Sequence, residues 1–336
     1  MNGNKHMQRS SSLLLITTFS IAGILMLLGC AGKSPVVPIA PVVKKDSIAA
    51  LVAAVATPPA PTPIYLKPKV ALVLGGGAAR GFAHVGVLRE LEKANIPIDM
   101  IIGTSVGSLI GAIYAANPNT FELEWTAFKL EKDDIFDFSI LSSTTGPVKG
   151  DRLEAFVQSK IPLQNIEQFK IPYYAVSADL NSGEPVIFSS GSVCKAVRAS
   201  CSIPGVFTPL NYQNHLLVDG GVLGNIAPEV ARQHGANIII VVSIGKNVSN
   251  KNTKNVIGIT MQAIEIMSSN IDKYKAKEAD VMISPEVGDV GTTDFSQKKR
   301  CMEAGIKAAQ TMMPAILAKI ELVKGTLDTA AMRLKN

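Results

Sequence analysis

The chain has 336 residues, of which 47% are hydrophobic and 18% are charged. This composition is too apolar and too weakly charged for a disordered chain, and the length is enough to bury a large core. The net charge of +6 comes partly from four basic residues in the first 44 positions, so the remainder is close to neutral and gives little support for nucleic-acid binding.

Residues 1–29 have the pattern of a secretory signal peptide. Lys5 and Arg9 precede an apolar run from Leu13 to Leu28, which is short for a membrane-spanning helix. The run ends in Leu-Leu-Gly before Cys30, which resembles the lipobox of bacterial lipoproteins, although Leu28 stands where a smaller residue is commoner. The resemblance implies that the Cys30 thiol is acylated and that the preceding peptide is removed. An uncleaved anchor with a chance cysteine is the alternative.

Residues 30–68 are expected to form a tether behind the lipid anchor. Eight prolines lie between Pro35 and Pro68, a density that favours extended polyproline conformations over helix or central strand. Ala31 follows the cysteine, and the lipoprotein sorting pattern then favours the outer membrane. We therefore expect a protein anchored by lipid to the bacterial cell envelope, at the outer membrane.

From residue 69 onward the chain alternates strands and helices. Continuous apolar strands between helices indicate an α/β fold with a mostly parallel sheet sandwiched by helices. We predict a catalytic domain over residues 69–245 and a mainly helical C-terminal extension over residues 246–336. The predicted strands are Lys69–Leu74, Met100–Ile102, Tyr173–Ala178, Pro185–Ser189, Leu216–Val218, Ile238–Ile244 and Val281–Ser284. The predicted helices are 82–95, one from the Gly103 turn to Ala116, Pro228–Gln233, Val256–Glu278 and a last one from Gln297. Trp125 is assigned to packing.

The segment Gly103-Thr104-Ser105-Val106-Gly107 lies between a predicted strand and a predicted helix. It matches the Gly-x-Ser-x-Gly nucleophile elbow in the strand–turn–helix context that this motif requires. A serine on a strained tight turn needs neighbours without a Cβ, which explains Gly103 and Gly107. The helix that follows would direct unpaired N–H groups at the site. Ser105 is therefore the candidate nucleophile.

The glycine-rich stretch Gly75–Gly81 follows the first strand and is the candidate oxyanion hole. Backbone N–H groups of Gly75, Gly76, Gly77 and Ala78 could face the site without side chains in the way. A dinucleotide-binding turn is the competing interpretation, with Asp99 as the residue that would hold a ribose. It is disfavoured because Arg80 occupies the sixth place, where that turn needs glycine.

Two carboxylate arrangements could activate the serine. Asp219 and His234 follow Ser105 in the order of an α/β-hydrolase triad. His234 falls at a predicted helix end, however, where histidine is often only a favourable charge. Asp219 ends an apolar run at Gly220-Gly221, which is where α/β active sites collect, so Asp219 is the better candidate base. Its usual pKa of about 3.9 is low for a base, so the site must either raise that pKa or rely on transient proton sharing.

Four blocks in order resemble the patatin-like phospholipases: Gly75–Gly81, Gly103–Gly107, Ala199–Pro204 and Asp219–Gly221. The resemblance covers about Lys69 to Gly245 and implies a Ser–Asp dyad, with Ser105 as nucleophile, Asp219 as base and the glycine-loop amides as oxyanion hole. Arg80 matches the family's loop arginine, which could orient the loop or attract an anionic head group. Gly81, Gly103, Gly107, Gly220 and Gly221 match the remaining motif glycines.

The expected activity is hydrolysis of lipid acyl esters through an acyl-enzyme, with a membrane lipid as substrate. No cofactor and no metal ion are expected, since the four cysteines form no Cys-x-x-Cys pair and no calcium-type carboxylate cluster occurs. No nucleic-acid partner is expected. A thioesterase or peptidase with the same dyad, or a lipid-anchored binding module without activity, remains an alternative.

Overall fold

The structure, a computed structural model, describes residues 67–137, 146–245, 256–291 and 293–335. The predicted signal peptide, Cys30 and the tether up to residue 66 lie outside these ranges. All the described residues belong to one compact unit. None of the described helices contains an apolar stretch long enough to cross a membrane.

The described part of the chain alternates strands and helices, as the sequence predicts. The strands are β1 (Val70–Leu74), β2 (Met100–Thr104), β3 (Tyr173–Asp179), β4 (Pro185–Phe188), β5 (Leu210–Tyr212), β6 (His215–Asp219), β7 (Ile238–Val242) and β8 (Val281–Ile283). The helices are α1 (Phe82–Lys93), α2 (Val106–Ala116), α3 (Thr120–Lys129), α4 (Lys132–Ile135), α5 (Asp151–Lys160), α6 (Val193–Ser200), α7 (Pro228–Gln233), α8 (Val256–Lys275) and α9 (Lys298–Lys335).

The strands form one sheet in the order β5-β6-β3-β2-β1-β7-β8, with β4 also paired to β3. The central strands β3, β2, β1, β7 and β8 run parallel, whereas β4, β5 and β6 pair antiparallel at one side. The prediction of a mostly parallel sheet is confirmed. Because the parallel strands end at the same edge, the loops after β1 and β2 emerge side by side.

Helices cover both faces of the sheet. Val70, Leu72 and Leu74 of β1 point into the larger apolar core, which also contains residues of α1, α2 and α9. Ala71 and Val73 point to the other face, where α7 packs. Every residue of β1 is buried, which is why this strand reads as a continuous apolar run rather than an alternating one.

The segment predicted as a C-terminal extension takes part in the same sheet and core. Strand β8 pairs in parallel with β7. Helix α9 crosses α1 closely, since a Cβ added at Gly305 would lie 2.0 Å from the carbonyl oxygen of Ala83. Gln310 of α9 also donates a hydrogen bond to Glu90 of α1 at 3.0 Å. Residues 246–255, at the start of the predicted extension, lie outside the described residues.

The structure corrects several predicted boundaries and adds elements. Strand β2 continues through Gly103 to Thr104, and α8 ends at Lys275 before a 3-10 turn at Ala276–Glu278. The sequence patterns do not predict α3, α4, α5, α6 or β5. The assignment of Trp125 to packing is wrong, because the residue is 60% exposed on the outer side of α3.

Replacing Gly305 by Ala is expected to lower the free energy of unfolding by about 1–3 kcal/mol, because the added carbon forces α9 away from α1. Urea denaturation measures the change. The control is Gly325→Ala in the same helix, where an added Cβ meets no atom within 4 Å. Helix propensity predicts a gain of up to about 1 kcal/mol there. Equal effects of the two substitutions would contradict the tight crossing.

Candidate functional site

Ser105 stands on a strained turn between β2 and α2. Its backbone has φ 55 and ψ −126, a left-handed conformation that is unfavourable for a residue with a side chain. The carbonyl oxygen of Ser105 accepts hydrogen bonds from the amides of Ser108 at 2.8 Å and Leu109 at 3.3 Å. These are the first hydrogen bonds of α2. The residue is 6% exposed. The turn thus presents the hydroxyl at the carboxyl edge of the sheet with little access to water.

Two contacts hold the turn in place. The amide of Ser105 donates to the hydroxyl oxygen of Ser200 at 2.9 Å, and that hydroxyl donates to the Val176 carbonyl oxygen of β3 at 2.6 Å. Gly107 lies against the end of β1, where an added Cβ would sit 2.1 Å from the Leu74 carbonyl oxygen. Only glycine lets α2 start this close to the sheet.

Asp219 ends β6 and reaches the same place from the antiparallel side of the sheet. Its Oδ1 accepts the Gly221 amide at 2.7 Å. Burial raises the pKa of its carboxyl to about 6, although hydrogen bonds from the Ser105 side chain and the Gly221 amide act in the lowering direction. Asp219 and Ser105 line a common cavity of about 70 Å³. The carboxylate is therefore next to the hydroxyl and more basic than an exposed aspartate.

The glycine loop after β1 requires a correction. The amide of Gly75 donates to the Val242 carbonyl oxygen at 3.0 Å, and the amide of Gly76 donates to the Asn225 carbonyl oxygen at 3.0 Å. These two amides support the loop, so their assignment to the oxyanion hole is wrong. The amides of Gly77 and Ala78 have no acceptor within the part of the chain that the structure describes. They remain the predicted oxyanion donors, and Ala78 itself has a positive φ of 51.

Arg80 and His84 both contact carbonyl oxygens of the glycine loop. Arg80 donates through Nε to the Gly77 carbonyl oxygen at 3.1 Å and forms an ion pair with Glu265 of α8 at 3.1 Å. Burial lowers the pKa of the Arg80 guanidinium to about 10. Burial also lowers the pKa of His84 to about 4, so its ring is neutral at pH 7, and Nε2 lies 2.8 Å from the Gly75 carbonyl oxygen. Arg80 therefore contacts both the glycine loop and α8.

The remaining motif glycines lie where the sequence places them. Gly81 precedes α1, Gly103 is the fourth residue of β2, and Gly220 and Gly221 begin the short 3-10 turn after Asp219.

The histidine of the alternative triad is elsewhere. The ring of His234 stacks on Tyr174 with 4.1 Å between centroids, and the residue ends α7. It lines neither cavity that contains Ser105. His215 contacts the carboxylate of Asp179 at 3.1 Å on the exposed part of β6. The structure therefore brings Ser105 together with Asp219 and not with His234.

Asp99 has a structural role that does not fit the dinucleotide alternative. Its Oδ2 accepts the Val70 amide at 2.7 Å, at the start of β1. The glycine loop follows the other end of that strand, five residues later. A carboxylate at the opposite edge of the sheet cannot hold a ribose whose phosphates lie on the loop.

An apolar cavity of about 60 Å³ opens on the other side of Ser105. Its walls are almost entirely apolar: Ala79, Phe82, Val106, Leu109, Ile110, Leu130, Ile135, Phe136, Leu153, Ile203, Phe207 and Phe295 are among the lining residues. Ala78, Ser105 and Ile203 line this cavity and the polar cavity that contains Asp219. Ser105 therefore lies at the boundary between an apolar and a polar space.

Among the described residues, no group of three or more His, Cys, Asp or Glu side chains is placed to hold a metal ion. Cys194, Cys201 and Cys301 are free thiols.

Three residues of the site were not identified as such from the sequence. The Ser200 hydroxyl accepts a hydrogen bond from the Ser105 amide, and the Asn225 carbonyl oxygen accepts one from the Gly76 amide. Glu265 forms an ion pair with Arg80. Ser200 lies in the third family-like block, so a signal for it existed. Asn225 and Glu265 reach the site through the tertiary fold, from a loop and from α8, and no local pattern marks either.

The chain is similar to known proteins over this region. The family model for patatin-like phospholipase matches residues 72–232. Patatin-like phospholipase domain-containing protein 6 of Mus musculus is 35% identical over 186 residues, which is 52% of this chain and 13% of that protein. Lysophospholipase NTE1 of Scheffersomyces stipitis is 27% identical over 298 residues, or 79% of this chain and 19% of that protein. The chain thus spans less than a fifth of the length of these curated relatives.

The chain is also similar to two solved structures, at low sequence identity. VipD from Legionella pneumophila has a TM-score of 0.44 and 13% identity, over 75% of this chain and 67% of that one. Human GIVD cytosolic phospholipase A2 has a TM-score of 0.40 and 12% identity, over 76% of this chain and 60% of that one.

Replacing Asp219 by Asn is expected to stabilise the fold at neutral pH. Because burial raises the carboxyl pKa from 3.8 to about 6, the folded state binds the proton more tightly than the unfolded state. Ionisation of Asp219 as the pH rises through about 6 therefore opposes folding. At pH 8 the free energy of unfolding of the asparagine variant should exceed that of the wild type by about 3 kcal/mol. Near pH 3.5 the two free energies of unfolding should be almost equal.

Urea denaturation at the two pH values measures this difference. Asp133→Asn, at an exposed residue of α4, is the matched control and should show little change. A difference between wild type and Asp219→Asn that does not depend on pH would contradict a buried ionised carboxylate.

Proposed function

Residues 72–232 match the family model for patatin-like phospholipase, and on this premise we propose that the protein hydrolyses lipid acyl esters with Ser105 as nucleophile and Asp219 as its base. The observation that carries the proposal is the position of Ser105 between an apolar cavity and a polar cavity that contains the Asp219 carboxylate. An acyl chain fits the first environment, and the ester's alcohol fits the second. The names of the relatives, a phospholipase and a lysophospholipase, agree with this substrate class.

In the first half-reaction, the Asp219 carboxylate accepts the Ser105 proton as Oγ attacks the ester carbonyl carbon. The amides of Gly77 and Ala78 would donate hydrogen bonds to the oxyanion that develops, and the start of α2 adds the partial positive charge of a helix N-terminus. The ester C–O bond then breaks, and protonated Asp219 returns its proton to the leaving alcohol. The acyl group remains on Ser105.

In the second half-reaction, Asp219 takes a proton from water, whose oxygen attacks the acyl-enzyme carbonyl carbon. When the oxyanion collapses, the bond between the acyl carbon and Oγ breaks, protonated Asp219 returns its proton to Oγ, and the fatty acid is released. A pKa of about 6 suits Asp219 to both steps, because it is mostly ionised at pH 7 and still able to hold a proton briefly. The residues present supply every proton transfer in this cycle.

Ser105→Ala and Asp219→Asn are each expected to lower kcat/KM by at least about 10³-fold, because the first removes the nucleophile and the second removes the base. The measurement is fatty-acid release from activated acyl esters of increasing chain length, and then from phospholipid vesicles. His234→Ala is the control and should keep most of the activity. Loss of activity in His234→Ala with full activity in Asp219→Asn would establish a histidine base instead.

We also propose that Cys30 carries lipid and anchors the protein to a bacterial cell envelope. The basic residues before an apolar run and the Leu-Leu-Gly-Cys ending support this placement. Expressed in bacteria with labelled palmitate, the wild-type chain should take up label and fractionate with membranes. Cys30→Ser should remain unlabelled, whereas Cys194→Ser should be labelled like the wild type. Equal labelling of the wild type and Cys30→Ser would refute the anchor.

A further inference from the structure

One face of α8 exposes a row of apolar side chains. This outer face consists of Ile259, Ala263, Ile266, Met267 and Tyr274, all of them exposed. The four large side chains are 43% to 73% exposed. Positions 259 and 266, and likewise 267 and 274, are seven residues apart, which is about two helical turns, so these side chains lie on the same side of the helix. Apolar side chains grouped in this way, rather than scattered singly, are typical of an interaction surface.

The opposite face of α8 lines the cavity that contains Ser105 and Asp219. Met261, Ile264 and Ser268 are in the wall of that cavity, and Ser268 is 1% exposed. A helix with its side chains is about 10–12 Å across. A partner bound to the outer face of α8 therefore lies about one helix diameter from the catalytic cavity.

The two acidic side chains of α8 point away from the outer face. Glu265 forms the ion pair with Arg80. Asp272 accepts a hydrogen bond from the Ile226 amide at 3.3 Å and another from the Asn225 side chain at 3.3 Å. Both carboxylates are thus bound to the body of the fold, and the outer face of α8, as the structure describes it, carries no negative charge.

Basic side chains border the outer face at the C-terminal end of the helix. Lys273 is exposed, and its Nζ lies 3.0 Å from the side-chain oxygen of Asn270. Lys277, in the 3-10 turn that follows, is exposed and lies over the Tyr274 ring at 5.5 Å, with the exposed Glu278 next to it in sequence. Apolar side chains bordered by lysines and an aromatic ring are the features with which an amphipathic helix binds the surface of a bilayer that contains anionic lipid.

Helix α3 also exposes apolar side chains, but its charges differ. The exposed side chains are Phe121, Trp125 and Phe128. Glu122 of the same helix and Glu131 just after it are exposed as well. An anionic surface repels such carboxylates, so the charges favour α8 over α3 as the side that faces lipid.

We propose that the outer face of α8 docks on a phospholipid bilayer that contains anionic lipid, with its apolar side chains among the lipids and with Lys273 and Lys277 at the head groups. A second copy of the chain is a poorer occupant, because the outer face of α8 offers no acidic side chain to these lysines. Docking would hold the catalytic cavity about one helix diameter from the lipid surface. The inference goes beyond the proposed function and does not depend on acylation of Cys30.

The first test uses the single tryptophan of the chain, Trp125 on α3, as an internal comparison. Two full-length chains both carry Ser105→Ala, so that no vesicle lipid is hydrolysed, and Cys30→Ser, which removes the proposed acylation site. One chain keeps Trp125, and the other also carries Trp125→Phe and Met267→Trp. Vesicles of phosphatidylcholine and phosphatidylglycerol with brominated acyl chains should lower the fluorescence of the Met267→Trp reporter by about twofold or more. They should leave the fluorescence of Trp125 almost unchanged.

Three results would overturn the proposal. Quenching of neither tryptophan would show that the face does not enter lipid, and quenching of Trp125 at least as strong as that of the Met267→Trp reporter would place α3 on the bilayer instead. Blue-shifted emission of the reporter without vesicles would show that protein, a second copy or another part of the chain, covers the face. Because both chains lack the nucleophile, these results are independent of whether the protein hydrolyses lipid.

The second test removes the lysines. Lys273→Gln together with Lys277→Gln should lower partition onto the same vesicles by about fivefold or more, because each lysine close to an anionic surface strengthens binding by about that factor. The matched control is Lys170→Gln together with Lys129→Gln, since Lys170 donates to an asparagine side chain and Lys129 lies over an aromatic ring, as the first pair do. The control chain should bind like its parent. An equal loss in the two double variants would contradict the assignment to α8.

Discussion

The left-handed backbone at Ser105 is the constraint on which the rest of the site depends. A serine with φ 55 is unfavourable by itself, so neighbouring contacts have to stabilise it. Those contacts come from three strands: Gly107 lies on the end of β1, the elbow continues β2, and Ser200 links the Ser105 amide to β3. The hydroxyl is therefore placed by the sheet rather than by a flexible loop. A nucleophile fixed in this way loses little entropy when substrate binds.

The buried carboxylate of Asp219 lowers the free energy of unfolding at neutral pH. Asp219 is 5% exposed and its pKa is raised to about 6, so at neutral pH the fold contains a buried carboxylate with few partners. Ser105 itself lies between an apolar cavity and the polar cavity that contains Asp219. The strands β1, β2 and β7 are fully buried, and the free energy gained by their burial offsets the cost of the buried carboxylate.

The sequence predicts those parts of the fold and site that local patterns encode. The apolar runs identify seven of the strands approximately, and the glycine spacing around Ser105 identifies the elbow, because both follow from contacts within a few residues. The assignment of the Gly75 and Gly76 amides to the oxyanion hole is wrong because their acceptors, Val242 and Asn225, lie far away in the sequence and no local pattern reveals them. The sequence does not predict α3 because the apolar side chains of this helix do not all lie on one face. Leu123 is buried, whereas Phe121 and Trp125 are exposed.

Asn225 connects the catalytic loop to α8. Its carbonyl oxygen accepts the Gly76 amide, and its side chain donates to Ser268 at 3.0 Å and to Asp272 at 3.3 Å, both on α8. Arg80 makes a second connection through Glu265, which precedes Ser268 by three residues, or about one turn of α8. Helix α8 is thus bound to the loop at two successive turns. Because the helix and the loop share these contacts, α8 helps to position the loop that carries Gly77 and Ala78, the predicted oxyanion donors.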